Sequence, residues 1–412
     1  MGDNLRRLAD VFRITRFMQE IARPTPLTGR VNPPGPVVIW NLIRRCNLTC
    51  LHCYSISADV DFPGELGTAQ VFSVMDDLKR FRVPVLILSG GEPLLRRDLF
   101  EIAARSRAMG FYTGLSTNGT LIDAPLADRI AATGFDYVGI SLDGLGATHD
   151  RFRRKSGAFD ASLAALRLCR DRGVKVGVRF TLAQENAADL QGLLALVEAE
   201  GIDKFYLSHL NYAGRGNRNR GADAHFQTTR RAMDLLFDTA WDYQQRGLVR
   251  EFVTGNNDAD GAYLLQWVER KFPERGAHIR AKLAEWGGNA SGVNVANIDN
   301  LGNVHPDTMW WDYTLGNVKE RPFSQIWVDT RDPILAGLKA SPRAIKGRCG
   351  ACRYFDLCNG SSRVRARSLT GDAWEEDPGC YLSDEEIGVD PAAGRVPVKP
   401  YTAKGVTWLR SA

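Results

Sequence analysis

Six short runs of β-branched and apolar residues punctuate the first half of the chain: Val37–Ile43, Val85–Leu88, Tyr112–Ser116, Tyr137–Leu142, Val174–Thr181 and Lys204–His209. Segments with helical spacing separate them. In one, Val71, Val74, Leu78 and Phe81 fall on one face; in another Leu163, Leu166 and Cys169 do, with Asp160 as the expected N-cap. Strands alternating with helices form βαβ units and a parallel sheet with right-handed crossovers. Six units, against the eight of a closed barrel, predict an α/β fold built on an open, partial (βα)6 barrel. Ligands of such sheets sit beyond the C-terminal ends of the strands, so motifs at those ends carry the most weight.

The alternation stops near residue 210, and the chain divides accordingly. Residues 1–35 read as a basic N-terminal arm, with Arg6, Arg7, Arg13, Arg16, Arg23 and Arg30 against Asp3, Asp10 and Glu20, closed by prolines. Residues 36–225 hold the barrel, 226–290 a helical connection, 291–384 short strands and turns around four cysteines, and 385–412 an extended tail with Pro391, Pro397 and Pro400. Hydrophobic residues at 44% and charged residues at 25% exclude a disordered or fibrous chain. A net charge of +5 is too small to argue for nucleic acid. No apolar run approaches the roughly 18 residues of a membrane span, and no secretory h-region follows the first arginines. The expectation is a cytoplasmic protein, in which cysteines serve as ligands or free thiols rather than disulfides.

Seven of the eight cysteines fall in two tight groups. Cys46, Cys50 and Cys53 follow the first expected strand directly, as CNLTCLHC. A [4Fe–4S] cluster normally takes four cysteines, so three leave one iron open to another ligand. Structural zinc wants four ligands, and His52 could supply the fourth only if Cys53 turned away. The turns after the next strands offer what a ligand on an open iron needs. Gly90 and Gly91 of SGGEP allow close backbone approach, and Glu92 offers an acceptor for an amine. Ser116 and Asn118 of STNG suit ribose hydroxyls; Ser141 ends the fourth strand, with His149 and Arg153 on the following turn. Arg179 in the fifth could clamp a carboxylate. Each alone reads better as a βα turn with capping residues; their recurrence at four strand ends does not.

CNLTCLHCY, SGGEP, STNG and SLDG…HDRFR resemble the signature of radical S-adenosylmethionine (SAM) enzymes over roughly residues 37–210. The resemblance implies that Cys46, Cys50 and Cys53 bind a [4Fe–4S] cluster whose fourth iron is chelated by SAM. It further implies that His52 meets the adenine, that Gly90, Gly91 and Glu92 hold the methionyl amine, and that Ser116 or Asn118 holds the ribose. Ser141, Arg153 and Arg179 would be further SAM contacts. The activity implied is reductive cleavage of SAM to a 5′-deoxyadenosyl radical, with a donor such as flavodoxin or ferredoxin supplying the electron.

Cys349, Cys352, Cys358 and Cys380 make a second, complete set of four, which by spacing suits structural zinc or a closed cluster equally. The region resembles the SPASM/twitch extension of radical SAM proteins, which implies an auxiliary [4Fe–4S] cluster and two clusters in all. The full SPASM pattern has seven cysteines; here Asp307 and Ser362 stand at two of the cysteine positions, and residues 285–295 contain none. One auxiliary site is therefore expected to be lost. Cys169 reads as a core residue.

Over nearly its whole length the chain is similar to the radical SAM enzymes of haem d1 biosynthesis (the NirJ family), through FRITRFM, PGPVVIWNLIRRCNLTCLHCYSISADVDFPGEL and VPVLILSGGEPLLR. That implies removal or modification of the propionate side chains of 12,18-didecarboxysiroheme, a carboxylate-bearing tetrapyrrole. Arg215, Arg218 and Arg220, in a glycine- and arginine-rich loop after the sixth strand, are then candidate carboxylate ligands, and His209 or His225, which flank it, could touch a haem-like iron; a solvated basic loop and histidines in ordinary hydrogen bonds are the alternative. Rival readings are a neighbouring iron-porphyrinoid step, a peptide-modifying SPASM maturase, and a non-enzymatic zinc or electron-carrier protein.

Overall fold

The computed structural model describes residues 12–29 and 35–390. Arg6, Arg7, Arg30 and the prolines at 391, 397 and 400 lie outside them. Eleven strands form one sheet: β1 (Phe12–Arg13), β2 (Val37–Asn41), β3 (Val85–Ser89), β4 (Tyr112–Thr117), β5 (Tyr137–Ser141), β6 (Val176–Leu182), β7 (Lys204–His209), β8 (Glu251–Gly255), β9 (Val295–Ile298), β10 (Asn303–His305) and β11 (Gly316–Asn317). Their order is β1-β8-β7-β6-β5-β4-β3-β2-β9-β10-β11. From β2 to β8 every neighbouring pair is parallel.

These strands are apolar on the face that helices cover, whereas the inner face also carries polar residues such as Tyr137, Arg179 and Tyr206 that line a cavity. Val38, Trp40, Leu86, Leu88, Leu115, Val138, Ile140, Val178, Phe205 and Leu207 are all buried. Burying each such side chain contributes about 1.5–3 kcal/mol before chain entropy is counted. Glycines leave room for large side chains inside the curve. A Cβ at Gly177 would strike the Tyr137 hydroxyl, and one at Gly255 the Tyr206 hydroxyl.

All six expected strands are present, within two residues of their expected ends. The segment expected as a helical connection contains in addition β8, parallel to β7. It is only five residues long and lies between the helices Phe226–Gln245 and Ala259–Lys271, so helical periodicity on both sides masks its alternation. Within the expected N-terminal arm, β1 pairs antiparallel with β8 and covers that edge of the sheet. The helix Ile14–Ala22 then buries Ile14, Phe17, Met18 and Ile21. One cap also differs from expectation. Gly157, not Asp160, precedes the helix Ala158–Arg170, because Asp150 accepts the Gly157 and Phe159 amides at 2.7 and 2.9 Å and so does the capping from outside. Cys169 is fully buried in the core, as expected.

The C-terminal region continues the same sheet. β9 pairs parallel with β2, and β10 and β11 add antiparallel strands beyond it. The segment Phe355–Cys358 packs against the helix Ala259–Lys271, which starts directly after β8. Through that helix the second cysteine group is tied to the end of the barrel.

Candidate active site

The C-terminal ends of β2 to β8 open onto a cavity of about 410 Å³. Cys46, Cys50, His52 and Cys53 line it from the loop after β2, Gly90 and Gly91 from the loop after β3, and Ser116 and Asn118 from the end of β4. Ser141, Arg153, Arg179, His209 and Arg215 line it as well. The cavity continues along the barrel axis to Arg13, Lys175, Lys204 and Glu251 at the opposite strand ends.

Two motifs far apart in sequence are stitched together at the mouth. The Gly91 amide donates to the Ile43 carbonyl at 2.6 Å and the Glu92 amide to the Arg45 carbonyl at 2.9 Å. A Cβ at either Gly90 or Gly91 would collide with the backbone of residues 43–45, so glycine is needed there for chain packing as well as for any ligand. Asn118 bridges outward, donating to Asn47 Oδ1 at 2.9 Å with Cys46 Sγ 3.9 Å away.

Burial sets the electrostatics of the three thiols. It pushes Cys46 up to about 12, with Glu92 and Cys50 adding to the rise, and it raises Cys50. For Cys53 burial is outweighed by hydrogen bonds from Ser55 and the charge of Arg215, so its thiol is shifted down. Arg153 Nη1 lies 3.5 Å from Cys50 Sγ, and the same guanidinium pairs with the fully buried Asp143. Asp143 in turn accepts the Thr181 amide at 2.6 Å. His52 is stacked on Phe152 with centroids 4.7 Å apart. Burial first, then Arg153, Arg215 and Arg179, hold its pKa far below the usual range, so the ring is neutral. Its Nδ1 is buried with no hydrogen-bond partner.

Some expected site residues stand elsewhere. Glu92 is fully buried, outside the cavity lining. Its carboxylate accepts from Thr117 Oγ1 at 2.7 Å and from the amides of Asn118 and Leu94 at 2.8 and 3.1 Å, so its side chain braces the β4 turn. The arginine loop folds as a short helix, Gly214–Arg218, clamped onto the cysteine loop. Arg215 donates to the carbonyls of Cys50 and Ser57 at 2.7 and 2.8 Å, Arg220 is buried against Asn217, and Arg218 points to solvent. Of the three, only Arg215 reaches the cavity. His149 accepts the Asp143 amide at 2.9 Å within the protein.

Sequence reasoning did not single out the wall formed by Asn256, Asn257, Asp258, Asn289, Ser291 and Met309. Asp307 and Ser362, noted only as replacements for cysteines, belong to the same wall. Ser291 donates to Asp307 at 2.6 Å, and burial raises the pKa of Asp307 and pushes Asp258 up to about 6. The missing cysteines were the one signal for this wall; its other members come from two separate stretches of the chain, 256–258 and 289–309.

The second thiol group is separate and enclosed. Cys349, Cys352, Cys358 and Cys380 surround one small hollow with Tyr354, Asp377 and Leu382. The Asp377 amide donates to Cys349 Sγ and the Tyr354 amide to Cys352 Sγ, each at 3.3 Å. Burial raises all four thiols and takes Cys349 to about 12; Cys380 adds to the rise at Cys349 and Cys352, and Cys349, Cys380 and Cys352 add to it at Cys358. Arg348 offsets that accumulation from Cys380's side while held to Asp384 at 2.7 Å. Among the described residues, no three His, Cys, Asp or Glu side chains converge closely enough to share a single ion.

Residues 40–197 match the radical SAM superfamily. The pre-heme d1 synthase of Dinoroseobacter shibae is 55% identical over 393 residues, 95% of this chain and 97% of the relative. The chain belongs to the radical SAM superfamily. The Fe-coproporphyrin III synthase of Methanosarcina barkeri is 44% identical, over 92% of this chain and 96% of its own length. Among solved structures, SuiB of Streptococcus suis superposes with a TM-score of 0.66 at 17% identity, covering 85% of this chain and 78% of that one. The AdoMet- and peptide-bound anSMEcpe gives 0.64 at 20% identity, over 86% of this chain and 96% of its own. At that identity both show a shared fold. As a radical SAM enzyme of haem-related biosynthesis, the protein uses SAM and a [4Fe–4S] cluster. The donor set at the cavity mouth fits such a pair: three thiols, a fourth position left to the cavity, and polar turns around it. Among the described residues no helix is long and apolar enough to cross a membrane.

Proposed function

We propose that this chain acts in haem d1 biosynthesis on 12,18-didecarboxysiroheme, removing or modifying its propionate side chains. The observation that carries this reading is the end-to-end 55% identity to a pre-heme d1 synthase, exceeding the 44% to the Fe-coproporphyrin III synthase. Cys46, Cys50 and Cys53 hold the cluster, and its chemistry with SAM is reductive cleavage of the sulfonium to a 5′-deoxyadenosyl radical that takes hydrogen from an unactivated carbon. The protein's own residues position and shield. His52, Ser116, Asn118, Ser141 and the backbone at Gly90 and Gly91 surround the cofactor. Arg153, fixed by Asp143, places positive charge beside the Cys50 thiolate and favours it. Arg179, held by Ser116 at 2.7 Å and packed over Tyr206, offers a guanidinium to a carboxylate.

Cys349, Cys352, Cys358 and Cys380 hold a second [4Fe–4S] cluster, closed by four protein ligands. Four thiols gathered in one hollow, three of them pushing up the fourth at Cys358, need a compensating cationic centre to ionise together. Anaerobically purified protein should then contain about eight irons per chain; bound zinc in place of four of them would exclude the second cluster.

The function is tested by incubating the anaerobic protein with SAM, a reductant and 12,18-didecarboxysiroheme, then weighing the tetrapyrrole by mass spectrometry. Loss or alteration of the propionates together with 5′-deoxyadenosine is the expected result. Formation of Fe-coproporphyrin III would move the chain to the step for which its Methanosarcina relative is named. Turnover with a peptide alone would remove the tetrapyrrole reading.

A further inference from the structure

One cavity-lining group is held in a way that SAM binding does not explain. His209, at the end of β7, lines the cavity while only 5% exposed. Its Nε2 lies 3.0 Å from Asp260 Oδ2. Asp260 is fully buried and accepts two further hydrogen bonds, from Thr254 Oγ1 at 2.5 Å and from the Tyr381 hydroxyl at 2.7 Å. The Tyr381 ring also stacks on the imidazole, with centroids 6.1 Å apart and planes 17° apart. Because a carboxylate only accepts, the proton of the neutral ring sits on Nε2 and the lone pair on Nδ1. Nδ1 has no hydrogen-bond partner among the described residues and is not sealed from the cavity. A carboxylate behind an imidazole, fixing its tautomer and raising the basicity of the other nitrogen, is the arrangement that supports histidine as a metal ligand.

We propose that His209 Nδ1 ligates the iron of the tetrapyrrole substrate, with Asp260 as its positioning residue. The proposal rests on the tetrapyrrole reading above and specifies which atom of the substrate this wall of the cavity binds. An iron-bearing macrocycle is thereby anchored at its centre, leaving its side-chain carboxylates for Arg179. The same Asp260 reaches Tyr381, the residue after Cys380, so one carboxylate joins the iron-facing imidazole to the second thiol set.

The test uses anaerobic, cluster-loaded protein titrated with iron(III) 12,18-didecarboxysiroheme and, separately, with its iron-free form, followed by visible absorption and electron paramagnetic resonance. Wild-type protein should give a nitrogen-ligated spectrum with the iron form. His209→Ala should lose that spectrum and bind the iron form at least about tenfold more weakly, with iron-free binding unchanged. Added imidazole should restore the spectrum, which a folding defect would not allow. Asp260→Asn should keep the ligand while weakening the iron form about tenfold. An unchanged spectrum in His209→Ala, or equal weakening of both forms, overturns the ligand role and leaves the substrate reading standing. Failure of wild-type protein to bind either form overturns the substrate reading itself.

Discussion

The two cysteine groups use the same side chain in opposite surroundings. The first brings three thiols to the mouth of a cavity that also holds Ser116, Asn118, Arg153 and Arg179. The second closes four thiols around a small hollow bounded by Tyr354, Asp377, Leu382 and Ile387. Openness is thus set by ligand count and by what surrounds the thiols. The backbone reinforces the contrast: Arg215 clamps the first loop from a neighbouring element, whereas the second is held from within by Asp377 and Arg348.

The strongest way to break this contrast is Cys50→Ala. One of three ligands is lost from the open site, so formation of 5′-deoxyadenosine should fall below detection, while the second site retains about four irons per chain. Undiminished cleavage of SAM would show that these thiols do not hold the reactive cluster. Cys352→Ala makes the converse comparison. SAM should still bind and be cleaved to 5′-deoxyadenosine, but altered tetrapyrrole should fall by about an order of magnitude if the second site passes an electron to or from the substrate. A product yield equal to wild type would reduce that site to a structural staple.

Much of this contrast was legible in the sequence because it depends on local spacing. CxxxCxxC directly after a strand, and glycine-rich turns after the following strands, fix their own positions once the βα alternation is recognised. Contacts made at long range were not legible. Glu92 has the right neighbours for an amine ligand, yet Thr117 and Asn118, 25 and 26 residues away, occupy its carboxylate. The glycine- and arginine-rich loop reads as a basic mouth, but Gly214 and Gly216 let it fold onto the backbone of residues 52–54, and that turns Arg215 inward. The Asp260 carboxylate lies inside a helix with no sequence signal, and its partners come from β7, β8 and the C-terminal segment.

Asp377 sharpens the comparison on the enclosed side. Its carboxylate receives Arg365 Nε and Nη2 at 2.8 and 2.7 Å and the amides of Ser362 and Gly379 at 3.0 and 2.9 Å, with both partners of the ion pair about fully buried. Asp377→Ala leaves the Arg365 charge without its partner and should cost about 3–5 kcal/mol in denaturant unfolding, with loss of iron from the second site. A loss under about 1 kcal/mol would mean that water or another acceptor replaces the carboxylate. On the open side, Gly214→Ala places a Cβ against the Tyr54 and Cys53 carbonyls at a residue with φ of +53°. The left-handed backbone alone costs about 1–3 kcal/mol for a residue with a side chain. The variant should lose iron from the first site and 5′-deoxyadenosine formation in parallel, whereas Arg218→Ala, at an exposed position, should change neither. Equal behaviour of the two variants would dissolve the clamp.

The smallest effect separates the mouth of the cavity from its floor. At the floor, Glu251 pairs with Arg13 at 2.7 Å and Lys204 at 3.1 Å. Burial alone would raise the Glu251 pKa, but Lys204, Arg13 and Lys175 outweigh it and bring it down to about 2 from an ordinary 4.5. A carboxylate depressed in the folded state adds stability that is complete above about pH 4.5 and lost as pH falls toward 2. With its side chain 23% exposed, solvent screening reduces the contribution to about 1–2 kcal/mol. Glu251→Gln should therefore be less stable than wild type at pH 7 by that amount, and the gap should narrow as pH drops from 4.5 toward 3. Melting temperatures of the two proteins across that window read the difference directly. Because this pair lies at the strand ends opposite the thiols, 5′-deoxyadenosine formation at pH 7 should not follow the stability change; a parallel loss of both would mean that floor and mouth act as one unit.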